Sequence, residues 1–272
     1  MKILVVESNA PEVLPEGKRH PAADQYGALL SRLAGDVRFS AVTPYEDGFD
    51  AAVLSDLLPE QDGVVFTGSA NSWSTDDERS RPLWTVMEQA FDHKRPCFGS
   101  CNGMQLAAVV LGGRVGASPK GLEIGLTLPL RLTGEGQRHR MMDGRKEGMV
   151  VPCIHRDEVQ ELPPSARLLA GNDHSPVQAF AIGPSCGGET GSPDFWGVQY
   201  HPELGPGDIA DYINREQGLF SGREKALADW LEELEQDSAL LAAIKADPDD
   251  LILERRTSEL ANWLDYIRSL RS

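Results

Sequence analysis

Cysteine is scarce in this sequence, and long apolar runs are missing. Four cysteines stand among 272 residues without a Cys-x-x-Cys pair, which excludes a dense disulfide framework. No stretch approaches the roughly 20 apolar residues that a membrane-spanning helix needs, and the run at residues 3–6 is too short for the core of a signal peptide. We therefore expect a cytoplasmic protein with free thiols and no membrane partner.

Basic residues are also in short supply. The chain has 26 Lys and Arg against 42 Asp and Glu, a formal net charge of −16. Nucleic acids and anionic membranes require a basic footprint, so neither is an expected partner. With 40% hydrophobic and 25% charged residues, the composition is that of a globular protein and excludes a disordered tail.

Short apolar runs alternate with amphipathic segments over the first part of the chain. The patterns predict strands at residues 2–6, 37–42, 63–66 and 96–99, and helices at 23–33, 81–91 and 103–111. Further strands are predicted at 121–132, 149–153, 177–182 and 195–200, with loops at 9–21, 133–148 and 183–193. This order predicts an α/β fold with a doubly wound, mostly parallel sheet and a small antiparallel addition.

The pattern changes after Pro206. Residues 207–272 hold no strand candidate, and their apolar residues have helical spacing, with Trp230, Trp263 and Tyr266 on the apolar stripes. We expect an α/β domain over residues 1–206 and a helical C-terminal extension over 207–272, packed on it through those aromatic residues. A partner-binding arm is the alternative interpretation.

The segment Gly99-Ser100-Cys101-Asn102-Gly103 lies between a predicted buried strand and a predicted helix. Gly-x-Cys-x-Gly at such a junction is typical of a nucleophile elbow, a tight turn that requires small neighbours. The positive end of the helix favours a thiolate there, and the following backbone N–H groups face the place where an oxyanion would form. The alternative is an inert, buried cysteine that is merely small.

A thiolate catalyst needs a base and a group that orients the base. Of six histidines, His201 ends the predicted strand 195–200, and reactive groups of open α/β sheets gather beyond the carboxyl ends of strands. Pro202 keeps the chain extended, so His201 and Glu203 can share one side, with Glu203 on one ring nitrogen and Cys101 facing the other. An exposed histidine beside a glutamate is the alternative.

The two segments together, residues 99–105 and 199–203, resemble the motifs of class I (triad-type) glutamine amidotransferases. Within that family the chain is similar to the free-standing branch that resembles the amidotransferase domain of GMP synthase. The resemblance covers roughly residues 1–206. It implies a catalytic triad of Cys101, His201 and Glu203.

The resemblance also implies two further sets of residues. Backbone N–H groups would form the oxyanion hole. One donor would be Ser69, in a turn where the family often has Gly-Gly-Pro and this chain has Gly68, Ser69 and Ala70, and the other would be Asn102, directly after Cys101. Side chains that contact or line the glutamine site would be Gln105, His155, Arg156 and Asp157.

The expected reaction is cysteine-dependent hydrolysis of the γ-carboxamide of glutamine through a γ-glutamyl thioester. No metal is expected, because no Cys/His cluster has zinc-ligand spacing, and no cofactor, because residues 112–116 do not fit Gly-x-Gly-x-x-Gly. The expected small-molecule partner is glutamine or another γ-glutamyl compound.

Four alternatives stay open. The chain could be a glutaminase subunit that supplies a separate synthetase, since no Walker A motif appears in the sequence. It could hydrolyse γ-glutamyl amides or peptides by itself. It could be a non-catalytic binding protein with a dormant site. A cysteine-type α/β-hydrolase ranks lowest, because that fold places its acid before its histidine, whereas Glu203 follows His201.

Overall fold

The computed structural model describes residues 1–14, 17, 19–216 and 220–271. The predicted loop at 9–21 therefore includes residues 15, 16 and 18, which lie outside the described residues. The same holds for residues 217–219 and 272 of the predicted extension. No helix in the described ranges is long and apolar enough to cross a membrane.

Strands and helices alternate through the first half of the chain, as predicted. The strands are β1 (Lys2–Val6), β2 (Arg38–Val42), β3 (Gly63–Phe66), β4 (Cys97–Ser100), β5 (Arg114–Ala117), β6 (Glu123–Leu126), β7 (Arg131–Leu132), β8 (Pro152–His155), β9 (Asp157–Glu161), β10 (Arg167–Gly171), β11 (Ala179–Ile182) and β12 (Phe195–Val198). The helices are α1 (Pro21–Leu33), α2 (Leu54–Leu57), α3 (Arg81–Asp92), α4 (Asn102–Val110), α5 (Pro206–Arg215), α6 (Gly222–Gln236), α7 (Leu253–Arg256) and α8 (Ser258–Leu270).

The main sheet has the strand order β2-β1-β3-β4-β12-β11-β10-β7. The first five strands in this order, from β2 across to β12, pair in parallel. The remaining three, β11, β10 and β7, continue the sheet with antiparallel pairs. Helices α1 and α8 pack on one face, and α2, α3 and α4 on the other. Central strands such as β3 are buried on both faces, which explains their unbroken apolar sequences. The predicted doubly wound, mostly parallel fold is confirmed.

Two small antiparallel sheets, β5–β9 and β6–β8, form the predicted antiparallel addition. The sequence analysis missed β5, β9 and β10, and it placed β8 at 149–153, whereas the strand lies at Pro152–His155. It also predicted strand throughout 121–132, where the chain forms only β6 and the short β7. β9 has the sequence DEVQE, so pairing with β5 imposes its strand conformation without an apolar pattern.

After residue 206 the described residues form helices joined by short connections, with 3₁₀ stretches at Ser238–Ile244 and Pro248–Leu251 between α6 and α7, and they contain no strand. Trp263 of α8 packs against Phe98 of β4, with ring centroids 5.9 Å apart, and Tyr266 stacks on Trp196 of β12 at 5.0 Å. Trp230 is only half-buried. The last helix thus completes the core on one face of the sheet, while the boundary at residue 206 stays a prediction.

A buried ion pair ties α8 to the sheet. The Arg145 guanidinium donates to both carboxylate oxygens of Glu259, and their side chains are 2% and 0% exposed. Glu259 also accepts from the hydroxyl of Tyr200, the residue before His201. Within the interior such a pair is costly to break, because the remaining partner is left as an uncompensated buried charge.

Replacing Arg145 by Met is expected to lower the free energy of unfolding by about 3–5 kcal/mol, because Glu259 would stay buried without its cation. Urea unfolding followed by circular dichroism measures this. Arg131→Met is the control, since Arg131 and its partner Asp173 are 54% and 78% exposed, and an ion pair that solvent screens contributes little to stability. Equal losses for the two variants would contradict the prediction.

Asp194, just before β12, gives a second prediction. It accepts from Tyr266 at 2.6 Å through Oδ2, while its buried Oδ1 has no partner in the described residues. Burial raises the pKa of Asp194 to about 6, although the bond from Tyr266 opposes the rise. In the unfolded chain an aspartate titrates near pH 4, so the stability that the protonated group contributes is lost as the pH rises through about 6.

Asp194→Asn is therefore expected to gain stability relative to the wild type as the pH rises from 4 to 7, by up to about 3 kcal/mol over that range. Urea unfolding at several pH values in this range measures the difference, with the exposed Asp173→Asn as control for the loss of a negative charge. A difference that stays constant with pH would refute the expectation.

Candidate active site

The turn between β4 and α4 has the geometry that the glycines around Cys101 predicted. Cys101 adopts φ 47° and ψ −106°, a strained conformation for a residue with a side chain. A Cβ atom on Gly99 would lie 2.6 Å from the carbonyl carbon of Gly103, and one on Gly103 would lie 2.4 Å from the carbonyl oxygen of Phe66. Only glycine fits at both positions, so strand and helix approach closely and the sulfur lies beyond the end of β4.

The structure brings Cys101 and His201 together. β4 and β12 pair in parallel with Ser100 opposite Val198, so their carboxyl ends lie side by side. Cys101 Sγ lies 3.6 Å from the carbonyl oxygen of Ile154, and His201 Nε2 lies 3.3 Å from the same oxygen. Both side chains therefore meet at one carbonyl oxygen. A thiol and an imidazole that meet in this way are placed for proton transfer.

Glu203 holds the other side of the imidazole. Its Oε1 lies 2.6 Å from His201 Nδ1, and both residues are buried. Burial by itself lowers the pKa of His201, but the negative charges of Glu203 and Cys101 outweigh it and raise the pKa well above its usual value. This arrangement therefore favours the protonated form of the imidazole.

The turn after β3 is tied down by asparagine side chains. Ala70 N donates to Asn9 Oδ1 at 2.8 Å, and Asn71 Nδ2 donates to the Ser8 carbonyl oxygen at 2.9 Å. Within the described residues the backbone N–H groups of Ser69 and Asn102 have no acceptor. Since both residues line the cavity around Cys101, their N–H groups are available to an anion formed there.

Gly68 lies against both members of the thiol–imidazole pair. A Cβ atom at this position would lie 2.6 Å from His201 Cε1 and 3.7 Å from Cys101 Cβ. A side chain at residue 68 would therefore displace the imidazole. The sequence analysis placed Gly68 in the oxyanion turn, and the structure adds that its missing side chain leaves the room for His201.

Gln105 and His155 converge on the backbone of Asp157. Gln105 Nε2 donates to the Asp157 carbonyl oxygen at 2.7 Å, and His155 Nδ1 lies 3.1 Å from the same oxygen. His155 Nε2 lies 2.7 Å from Glu123 Oε2, so protein atoms contact both ring nitrogens. Burial raises the pKa of Glu123, but His155 and the other donors outweigh it, so the pKa lies below its usual value. The sequence analysis missed Glu123 as the partner of His155.

Arg156 lies at the edge of the cavity, with about half of its side chain exposed. Its Nε and Nη2 donate to the Asp157 carboxylate at 2.8 and 3.1 Å, and Nη1 donates to the Ser72 carbonyl oxygen at 3.2 Å. Among the described lining residues it is the only Lys or Arg. A negatively charged group in the cavity would therefore be attracted to this edge.

The cavity above Cys101 has a volume of about 640 Å³. Part of its wall is apolar or aromatic and was not predicted: Trp73, Leu122, Ile154, Leu204, Tyr212 and Phe220. Tyr212 and Phe220 pack edge to face with ring centroids 6.1 Å apart. Burial and then the charge of Glu216 raise the pKa of Tyr212, which lines the same cavity as Cys101. The sequence does not mark Tyr212 as a wall residue, because an aromatic residue at helical spacing is equally typical of an ordinary core.

In the part of the chain that the structure describes, no group of three or more His, Cys, Asp or Glu residues is arranged to hold a metal ion. What the cavity does offer is a thiol, an imidazole oriented by a carboxylate, and two unoccupied backbone N–H donors. Together these can attack a carbonyl carbon, stabilise the resulting oxyanion and protonate a leaving group.

Three curated relatives are enzymes that act on glutamine or γ-glutamyl compounds. The γ-glutamyl-L-1-hydroxyisopropylamide hydrolase of Pseudomonas sp. is 28% identical over 98% of this chain and 93% of its own length. The γ-glutamyl peptidase 5 of Arabidopsis thaliana is 32% identical, and the match spans 58% of this chain and 60% of the relative. The glutamine-hydrolysing GMP synthase of Azoarcus sp. (strain BH72) is 32% identical, over 66% of this chain and 33% of the synthase.

Two solved structures share the fold. A glutamine amidotransferase from Thermotoga maritima superposes with a TM-score of 0.59 at 19% identity, covering 98% of this chain and 97% of that one. A glutamine amidotransferase from Methylobacillus flagellatus gives 0.58 at 17% identity, covering 99% and 94%. Residues 24–217 match the family described as glutamine amidotransferase class-I. With these residues spanning most of the α/β fold and both segments of the site, the chain belongs to the class I glutamine amidotransferase family.

Proposed function

We propose that the protein hydrolyses the γ-amide bond of γ-glutamyl compounds, with Cys101 as nucleophile, His201 as general acid and base, and Glu203 as the group that orients His201. The observation that carries the proposal is that Cys101 and His201 meet at the carbonyl oxygen of Ile154, with Glu203 on the other side of the imidazole, in a cavity with an apolar wall. The matching relatives include both γ-glutamyl hydrolases and GMP synthases, which supports this reaction in general.

The first half of the reaction forms a thioester. The thiolate of Cys101 attacks the γ-carbonyl carbon, and the carbonyl electrons move to the oxygen, which accepts hydrogen bonds from the backbone N–H groups of Ser69 and Asn102. When the carbonyl re-forms, the C–N bond breaks. The imidazolium of His201 gives its proton to the leaving nitrogen, so the amine departs neutral and a γ-glutamyl thioester remains on Cys101.

The second half releases glutamate. His201, now neutral, accepts a proton from water while the water oxygen attacks the thioester carbon. The C–S bond breaks, glutamate leaves and the thiolate–imidazolium pair is restored. Throughout the cycle Glu203 holds the ring and stabilises the imidazolium, since its Oε1 lies 2.6 Å from Nδ1.

The glutamyl part of the substrate is assigned to the polar side of the cavity. Arg156 offers a cation for the α-carboxylate at the cavity edge. Gln105 and His155 hold the backbone of Asp157 in place. In this arrangement His155 acts on the substrate through Asp157, since protein atoms contact both of its ring nitrogens.

The leaving amine is assigned to the apolar wall. Leu204, Tyr212 and Phe220 follow His201 along the chain, and His201 is the group that must reach the leaving nitrogen. Such a wall contributes nothing to the departure of ammonia, whereas it stabilises an alkyl group on the amine by roughly 0.8 kcal/mol per buried CH₂. We therefore favour a γ-glutamyl amide of a small apolar amine as substrate. The Pseudomonas relative is named as the hydrolase of an amide with a similarly small, branched amine.

A glutaminase that passes ammonia to a separate synthetase is the second candidate. The similarity to the amidotransferase part of GMP synthase favours it. Glutamine fits the same chemistry as the smallest γ-glutamyl amide, and only the leaving group differs. Substrate preference therefore separates the two candidates.

The purified chain is expected to release glutamate from γ-glutamyl isopropylamide with kcat/KM at least tenfold above that for glutamine, because two methyl groups enter the apolar wall. A coupled glutamate assay measures both rates. Cys101→Ser is expected to lose activity on either substrate by at least about 10³-fold. A preference for glutamine would favour the glutaminase, and Cys101-independent or absent turnover would contradict the proposal.

Tyr212→Ala is expected to lower kcat/KM for γ-glutamyl isopropylamide about tenfold relative to glutamine, because it removes part of the surface that the alkyl group contacts. The ratio of the two kcat/KM values is the measurement, and glutamine serves as the internal control for general damage to the site. An equal loss on both substrates would show that Tyr212 does not contact the leaving amine.

A further inference from the structure

Tyr26 lies behind the carboxylate that orients His201. It belongs to α1 and is 1% exposed. Its hydroxyl lies 2.9 Å from Glu203 Oε2 and 2.6 Å from Ser100 Oγ. A carboxylate only accepts, so the phenol donates to Oε2 while Oε1 faces His201 Nδ1 at 2.6 Å. Ser100 Oγ lies 3.4 Å from Oε1 as well, so His201 and Ser100 contact Oε1 and Tyr26 contacts Oε2.

A second donor matters because a carboxylate can rotate about its last C–C bond. Without a donor at Oε2, only Oε1 is held, and the imidazole follows any rotation of the carboxylate. Tyr26 belongs to a helix, so its hydroxyl is a fixed donor at Oε2. It therefore fixes the plane of the carboxylate, and with it the orientation of the imidazole that Oε1 contacts. Burial, then the charge of Glu203, raise the pKa of Tyr26 well above its usual value, so the phenol keeps its proton at neutral pH.

We propose that Tyr26 is a positioning residue of the active site: its hydroxyl holds Glu203 in the orientation in which His201 faces Cys101. Neither the family motifs nor the sequence pattern marks it, since Tyr26 occupies an apolar position of an amphipathic helix. The catalytic part of the inference rests on the proposed function. The reactivity of the thiol tests it without any substrate.

The first experiment compares the alkylation of Cys101 by iodoacetamide in the wild type and in Tyr26→Phe, as a function of pH. Peptide mass spectrometry separates Cys101 from the other thiols. A loosened His201 stabilises the thiolate less, so alkylation at pH 6 is expected to slow about tenfold, which equals a shift of the profile by about one pH unit to higher pH. Cys186, which is partly exposed, is the internal control.

Tyr266→Phe is the matched control. Tyr266 also donates to a carboxylate, with its hydroxyl 2.6 Å from Asp194 Oδ2. Asp194 precedes the start of β12, whereas His201 follows the end of that strand, so this contact lies at the opposite end from the site. The same chemical change there is expected to leave the Cys101 profile in place. A wild-type profile in Tyr26→Phe, or an equal shift in Tyr266→Phe, would overturn the proposal. If Tyr26→Phe does not fold, the protein with 3-fluorotyrosine at position 26 is tested in its place. The proposal then requires that this variant shift the pH profile of Cys101 alkylation.

The second experiment is a double-mutant cycle on γ-glutamyl amide hydrolysis. Tyr26→Phe is expected to lower kcat about tenfold with KM unchanged, because orientation rather than substrate binding is lost. In a Glu203→Gln background the same change is expected to cause no further loss, whereas additive losses would contradict the proposal. If the wild type hydrolyses no γ-glutamyl amide, the proposed function fails, and the alkylation profile still decides the role of Tyr26.

Discussion

The parallel pairing of β4 with β12 is the constraint on which the candidate site depends. It places Ser100 opposite Val198, so Cys101 and His201 leave adjacent strands at the same edge of the sheet. A slip of one residue would turn every side chain of β12 to the other face. Gly197 of β12 belongs to this constraint, because a Cβ atom there would lie 2.7 Å from the side chain of Met104 on α4. The chemistry of the site is therefore fixed first by backbone register and close packing.

Buried carboxylates are the second recurring feature of this acidic chain. Glu7, Glu123, Glu203 and Glu259 are all buried, and each accepts hydrogen bonds from donors on distant segments. Burial of an unpaired carboxylate would be prohibitive, so each one fixes the segments that supply its donors. Glu7 accepts from the first backbone N–H groups of α1, the helix that carries Tyr26. The carboxylates thus connect the strand ends, the helices and the site.

The sequence predicted those parts of the fold and site that depend on local chemistry. Gly99 and Gly103 indicated the elbow because only glycine tolerates such close backbone contact, and the buried parallel strands followed from their unbroken apolar runs. The strand β9 and the contact between Tyr26 and Glu203 could not be predicted in this way. Both depend on which segments meet in space, and an apolar or acidic pattern within one segment carries no information about its neighbour.

The C-terminal helices contribute to two separate parts of the molecule. Trp263 of α8 covers the face of β4 beneath the elbow, and Tyr266 stacks on Trp196 of β12. Tyr212 of α5 instead lines the cavity. An arm reserved for a partner would leave its aromatic residues exposed, whereas Trp263 and Tyr266 are buried against the sheet. Trp263 and Tyr266, through which the sequence analysis expected the extension to pack, are therefore used within the chain, where they support β4 and β12, the two strands that precede Cys101 and His201.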